Sequence, residues 1–193
     1  MRTLLASALL LALAPLAAAQ PTFGIRAGLN VASVTDIDAG GGLDPRPRLG
    51  FVGGAFAEVP LTPAFAVRPE VLYSQKGEST DEGVLTLVQD YVEVPVLGRL
   101  AVYPSPTLEV GLLAGPYVGL KLTESVRLES GSQDTDRVEN VDYGLAVGGE
   151  VGSGPFFVDL RYTLGLADVF ENAGERSPRN SVFTVGGTFK FGR

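Results

Sequence analysis

The chain has 193 residues, of which 45% are hydrophobic and 25 are glycine, and its 15 basic and 22 acidic residues give a net charge of −7. This acidic balance, with no basic cluster, argues against nucleic acid as a partner, because a phosphate backbone must be neutralised by lysine and arginine. Histidine and cysteine are both absent, which excludes histidine-based triads, cysteine nucleophiles, disulfides and most transition-metal sites. We therefore expect neither a metal nor a cofactor.

The first 19 residues have the features of a secretory signal peptide. Arg2 supplies a positive charge, residues 4–14 form an apolar run, and Ala17-Ala18-Ala19 offers small residues for cleavage before Gln20. The apolar run is too short for a membrane-spanning helix of about 20 residues. We predict a signal peptide over residues 1–19 and one mature domain over residues 20–193; the alternative is an uncleaved anchor helix.

Eight predicted strands follow, and the connections between them alternate between long and short. The predicted strands are residues 22–33, 49–59, 65–76, 90–102, 108–123, 141–151, 156–166 and 181–191. Three breaks are tight turns at residues 60–63, 103–106 and 152–155, and the other four are long and polar. Outer-membrane barrels have an even number of strands, short periplasmic turns and long outer loops. Strict alternation of long and short connections is not expected of a soluble β-sandwich.

Apolar residues alternate with small or polar residues along most of these strands. In the first strand every odd position from Phe23 to Val31 is apolar. The second strand is the weakest, because Val52 and Phe56 share the face of Glu58. Side chains of a strand point alternately to its two faces, so each strand has one apolar face.

The direction of the apolar face separates two kinds of barrel. A transmembrane barrel turns it toward lipid, whereas a soluble lipocalin-like barrel turns it inward. The apolar face carries almost no charge and the opposite face is rich in glycine, which favours the membrane. Five tyrosines lie mostly near predicted strand ends, where interfacial aromatic girdles belong. They are Tyr73, Tyr91, Tyr103, Tyr143 and Tyr162.

Several segments carry a family resemblance. They are GIRAGLN, GFVGGAFAEVPL, RPEVLYSQKG, DYVEVPVLGRLAVY and LLAGPYVGLKL, of which residues 70–77 and 91–97 are the most specific. From Phe23 to Arg193 the chain resembles the PorT-like outer-membrane β-barrel family. The resemblance implies an all-β, eight-stranded antiparallel up-and-down barrel in the outer membrane of Bacteroidetes-type bacteria. The family's namesake is linked to export of secreted proteases, which implies secretion-system or envelope proteins as partners.

The face opposite the apolar one collects acidic and basic residues. They are Arg26, Glu58, Arg68, Glu70, Glu93, Arg99, Glu109, Glu150, Asp159, Arg161 and Lys190. Two of the carboxylates could act as a glycosidase pair. An eight-stranded barrel is filled by its own side chains, however, which favours a charge-compensated structural network. Because the third and fourth strands are neighbours, we expect Glu70 to pair with Arg99 or Arg68 with Glu93.

These features predict a non-enzymatic integral barrel of the cell outer membrane, with no catalytic residues. We expect the barrel to be surrounded by outer-membrane lipid. We expect its function to be a structural or accessory role in envelope transport or secretion. A secreted soluble barrel that binds a small apolar ligand is the first alternative, and a barrel-embedded enzyme the second. Acidic loop residues such as Asp36, Asp38, Asp134 and Asp136 leave a calcium site open, although neither stretch completes an EF-hand pattern.

Overall fold

In the computed structural model the protein is all-β. The description covers residues 20–35, 45–80, 85–105, 107–128, 131–134, 141–166 and 179–192. The predicted signal peptide lies outside these ranges. Nine strands are present in them: β1 Thr22–Thr35, β2 Pro45–Pro60, β3 Phe65–Thr80, β4 Leu85–Pro104, β5 Glu109–Leu128, β6 Gly131–Asp134, β7 Val141–Ser153, β8 Phe156–Gly165 and β9 Arg179–Lys190.

Within the described ranges, no helix is long and apolar enough to cross a membrane.

Eight of the strands close into a barrel. The strand order is β4-β3-β2-β1-β9-β8-β7-β5, and pairing between β4 and β5 closes the ring. Every neighbouring pair is antiparallel. The ninth strand, β6, pairs with residues 125–128 of β5 beyond the closed ring. The prediction of an eight-stranded antiparallel barrel is therefore confirmed.

Several strands extend further than the sequence pattern predicts. β5 continues to Leu128 and β6 folds back on it, so the predicted long break over residues 124–140 is wrong in its first part. Likewise β3 runs to Thr80 and β4 begins at Leu85, inside a predicted break. The physical reason is that a ladder of backbone hydrogen bonds continues where the apolar alternation stops.

The apolar face of the strands points outward. The side chains of Phe23, Leu29 and Val158 are 57%, 60% and 56% exposed, whereas Arg68 and Asp159 are fully buried inside the ring. Water does not stabilise such an exterior, but the hydrocarbon of a bilayer does. The soluble, lipocalin-like alternative is therefore wrong.

Tyr91 departs from the predicted aromatic girdles. Four of the five tyrosines are exposed on the outer surface: Tyr73, Tyr103, Tyr143 and Tyr162. Tyr91 is buried in the lumen, because it shares the face of Glu93 on β4. In β2 the side chains of Val52 and Phe56 are also buried inward, which explains the weak pattern of that strand.

Candidate functional site in the barrel lumen

The charged residues predicted to face inward all lie within the lumen, where they form three clusters along the barrel. The short-turn cluster lies by the turns after β2, β4 and β7, and comprises Glu58, Arg68, Arg99, Glu109, Glu150 and Lys190. The middle cluster comprises Arg26, Glu70, Asp159 and Arg161. The loop-end cluster comprises Lys76, Glu93 and Asp142. All are buried except Glu109, whose side chain is 16% exposed.

Arg68 is the centre of the short-turn cluster. Its Nε and Nη2 atoms donate to Oε2 of Glu58 at 3.0 and 2.5 Å. Nη1 and Nη2 donate to the two carboxylate oxygens of Glu150 at 2.8 and 3.1 Å. The planar guanidinium group therefore holds two carboxylates at once, and its contact with Glu150 is bidentate, a geometry that makes charge-assisted hydrogen bonds strong and specific.

Two more cations complete this cluster. Arg99 Nε donates to Glu150 Oε1 at 2.5 Å, and Arg99 also pairs with Glu109. Lys190 Nζ lies 3.1 Å from Glu58 Oε2 and 3.5 Å from Glu150 Oε1. Three cations thus compensate three carboxylates, and each buried carboxylate contacts more than one cation.

Aromatic rings pack against the same cations. The guanidinium carbon of Arg68 lies 4.7 Å from the centroid of the Phe56 ring, and Lys190 Nζ lies 4.1 Å from that of Phe157. A cation over a ring face is attracted to its quadrupole. The rings therefore fill space in the lumen and also stabilise the buried cations that they contact.

The middle cluster joins strands from opposite walls. Arg26 Nη2 donates to Asp159 Oδ1 at 2.7 Å, and Arg161 Nε lies 3.0 Å from the same oxygen. Nη1 and Nη2 of Arg161 donate to the two oxygens of Glu70 at 2.6 and 2.9 Å. Two cations again compensate two carboxylates.

The loop-end cluster is built around a buried lysine. Lys76 Nζ lies 2.6 Å from Glu93 Oε1 and 2.9 Å from Asp142 Oδ2. Tyr117 donates its hydroxyl to Asp142 Oδ2 at 3.2 Å, and the rings of Tyr91 and Tyr117 lie 5.1 and 5.0 Å from Lys76 Nζ. One lysine therefore serves two carboxylates and two rings.

Sequence reasoning missed Lys76 and Asp142. Both lie on the inward parity: Lys76 is six residues after Glu70 on β3, and Asp142 is eight residues before Glu150 on β7. Both also lie inside predicted strands, Lys76 at the end of residues 65–76 and Asp142 near the start of residues 141–151. The parity pattern that identified the other inward charges could therefore have found them as well.

The predicted ion pairs between β3 and β4 are wrong. Glu70 pairs with Arg161 on β8, and Arg68 pairs with Glu58 on β2 and Glu150 on β7. Glu70 thus finds its partner across the lumen, whereas Arg68 contacts both the neighbouring strand β2 and the more distant strand β7. β3 and β4 do share an ion pair, but it joins Lys76 to Glu93. Which inward charges meet depends on the stagger of the strands in the closed barrel, which the sequence pattern does not specify.

Little space remains between the middle and loop-end clusters. A cavity of about 20 Å³ lies there, which is enough for about one water molecule. Its polar lining includes Arg26, Asn30, Ser74, Lys76, Tyr117 and Arg161. Between these two clusters the described side chains therefore leave room for about one water molecule.

Metal binding finds no support in the described ranges, where no group of three or more aspartate and glutamate residues could hold an ion. The loop residues Asp36, Asp38 and Asp136 lie outside those ranges. The calcium site left open by the sequence is therefore not tested at these positions.

A closed antiparallel sheet with an apolar exterior and a charged lumen defines an integral β-barrel of the outer membrane. The chain belongs to the outer membrane protein beta-barrel domain family, whose family model matches residues 18–171. Its location is the cell outer membrane.

Two solved structures are similar to this chain at low sequence identity. Neisserial surface protein A, from Neisseria, is 11% identical with a TM-score of 0.51, and the match covers 89% of this chain and 97% of that chain. Ail, the attachment invasion locus protein of Yersinia pestis, is 11% identical with a TM-score of 0.48, over 90% and 99% of the two chains. A comparison with curated proteins finds no match.

Proposed function

We propose that this protein is a non-enzymatic, non-conducting barrel with a structural or accessory role in envelope transport or secretion. The observation that carries the proposal is the filled lumen. Paired side chains occupy it from the short-turn cluster to the loop-end cluster, with a cavity of about 20 Å³ between them. Neither a diffusing solute nor a substrate has room to enter. Interactions with other envelope proteins are then left to the two ends of the barrel.

The state of the lumen carboxylates supports the absence of catalysis. A glycosidase needs two carboxyl groups that face a substrate, one of them as a general acid. Glu58 and Glu150 instead each contact Arg68, Arg99 and Lys190 within 4 Å. A carboxylate whose oxygens are occupied by several cations does not face a substrate.

Some strands extend further than others at the end of the barrel opposite the short turns, the loop end. This extension favours the loop end as the site of an accessory role. The pairing of β5 with β7 ends at Leu120, yet β5 continues to Leu128 and acquires β6 as its neighbour. β3 and β4 also remain paired as far as Ser79 and Thr86. One side of the barrel wall therefore extends beyond the other, as a surface that a partner protein can reach.

The PorT-like resemblance and the signal peptide belong to the same proposal. A PorT-like protein of Bacteroidetes-type bacteria would act with secretion-system or envelope proteins. Export would require cleavage after Ala19. The intact mass of the exported protein should correspond to a chain that begins at Gln20, whereas retention of residues 1–19 would contradict the proposed processing.

Conductance measurements test the closed lumen directly. The purified barrel, reconstituted in planar bilayers beside a general porin as a positive control, should show no stable large conductance. Sustained porin-like steps from the folded protein would contradict the proposal, because the paired charges would then have to move aside.

The accessory role needs a test in cells. A deletion strain should export fewer proteins than its parent, and the wild-type gene should restore export. A variant whose residues 129–140 are replaced by a short Gly-Ser linker should reach the outer membrane in normal amount but fail to restore export. Unchanged export in the deletion strain would exclude the accessory role and leave a structural one.

A further inference from the structure

The lipid-facing surface contains a furrow of about 490 Å³ near the short-turn end of the barrel. It crosses β1, β9, β8 and β7, outside the lumen. Its apolar lining is formed by Ile25, Ala27, Val151, Phe156, Val158 and Phe189. Gly187 lies among them and supplies the floor.

The furrow follows from the register of three strands. Gly187 of β9 lies directly opposite Ala27 of β1 on one side and Val158 of β8 on the other. The next outward row toward the short turns contains Phe156 and Phe189, whose ring centroids are 5.1 Å apart. A row of small side chains therefore lies beside a row of large ones.

Two other outward-facing glycines, Gly53 and Gly98, are covered by aromatic rings of the barrel itself. A Cβ atom added to Gly53 would lie 2.8 Å from the ring of Phe51, and one added to Gly98 would lie 3.2 Å from that of Phe65. A Cβ on Gly187 would meet nothing closer than the Phe157 carbonyl oxygen at 3.8 Å. The space above Gly187 is therefore open, as it is above Gly149, but only Gly187 lies within the furrow.

We propose that this furrow binds one acyl chain of a phospholipid from the periplasmic leaflet. The furrow is continuous with the surface that contacts the bilayer, and short turns mark the periplasmic side. Its walls are apolar, so water gains no hydrogen bonds there, and an empty furrow would forfeit dispersion contacts along its lining. A single acyl chain is narrow and flexible enough to reach the floor.

A second copy of the barrel is a poorer occupant. Its wall is convex and studded with large side chains such as Leu160 and Phe183. Two such walls would touch at the rim formed by Phe156 and Phe189 and leave the floor at Gly187 empty. The proposal concerns the outer wall, so its test is independent of the proposed function of the lumen and loops.

Two outward glycines provide a matched pair of variants. Gly187→Leu places a side chain in the furrow. Gly149→Leu adds the same side chain on β7 outside the furrow, where a Cβ meets nothing closer than the Gly111 carbonyl oxygen at 3.7 Å. Gly187→Ala is a milder variant in case the leucine impairs folding. Heat-dependent gel mobility verifies that each variant is folded.

The experiment counts bound lipids by native mass spectrometry after release from phosphatidylethanolamine vesicles into detergent. Wild type and Gly149→Leu should retain one phospholipid per barrel. Gly187→Leu should retain about tenfold less, equivalent to about 1.4 kcal/mol, and Gly187→Ala an intermediate amount. Equal retention by all four proteins, or no retained lipid in wild type, would overturn the proposal. A wild-type dimer that Gly187→Leu dissociates would assign the furrow to a second copy instead.

Discussion

The two ends of the lumen differ in how their buried charges are compensated. In the short-turn cluster, Glu58 and Glu150 are each shared by Arg68, Arg99 and Lys190. In the loop-end cluster, Lys76 is shared by two carboxylates. Loss of one cation leaves the first cluster with two others, but removes from the second the ammonium group that both acids contact. The comparison teaches that the number of buried charges matters less than how many partners each one keeps.

The largest expected effect is that of Lys76→Met. Glu93 and Asp142 would lose the cation between them, and stranding a buried charge costs roughly 3–5 kcal/mol. Lys190→Met is the matched change at the other end of the lumen. It should lower the free energy of unfolding by about 1.5–3 kcal/mol, as for a hydrogen bond to a charged group. Denaturant titration of the barrels folded in lipid vesicles measures both.

The order of these two effects is the critical observation. A Lys190→Met variant that is less stable than Lys76→Met would mean that shared partners give no protection. Equal and negligible effects would mean that water reaches both clusters.

Val94→Arg and Leu160→Arg test whether the lipid-facing wall tolerates a charge that has no ion-pair partner. Both side chains are exposed on the outer wall, by 44% and 51%. An arginine near the bilayer midplane should cost about 2–4 kcal/mol. Unfolding titrations in vesicles should show this loss, whereas arginine in place of the exposed turn residue Leu61 should have a smaller effect. Wild-type stability of both barrel variants would contradict a lipid-facing wall at these sites.

Gly186→Ala tests how closely the middle cluster is fitted. A Cβ at this position would lie 2.9 Å from both Arg26 Nη2 and Asp159 Oδ2, so the ion pair would have to shift. Overpacking of this kind costs about 1–3 kcal/mol. The adjacent Gly187→Ala points outward into free space and should change stability by less than about 0.5 kcal/mol. If Gly186→Ala and Gly187→Ala unfold at the same denaturant concentration, the middle cluster has room for an additional methyl group.

Glu109→Gln should have the smallest effect. Glu109 lies at the short-turn rim, where its side chain is 16% exposed, and its partner Arg99 also contacts Glu150. The expected loss is up to about 1 kcal/mol, the range of a solvated ion pair. Glu150→Gln, in the same cluster but with a fully buried side chain, should cost more. If the two variants unfold at the same denaturant concentration, burial does not rank the members of this cluster.

The sequence alone determined the architecture, because both of its signals are local. Two-residue alternation assigns each side chain to a face of its strand, and alternate long and short connections fix the strand number and the antiparallel order. The outward face of Phe23 to Val31 and the inward face of Glu150 and Asp159 were predictable for this reason. The ends of β3, β4 and β5 were not, because the backbone ladder outlasts the apolar pattern.

The ion pairs were decided by the tertiary structure. Arg68 and Glu150 are 82 residues apart in sequence and Arg161 and Glu70 are 91 apart. Their contact depends on how the strands are staggered when the ring closes, which no local pattern encodes. The furrow over Gly187 has the same origin, because only the register of β1, β9 and β8 brings Ala27, Gly187 and Val158 side by side. The sequence pattern thus determines which face of the strand each side chain occupies, and closure of the barrel determines which residues it contacts.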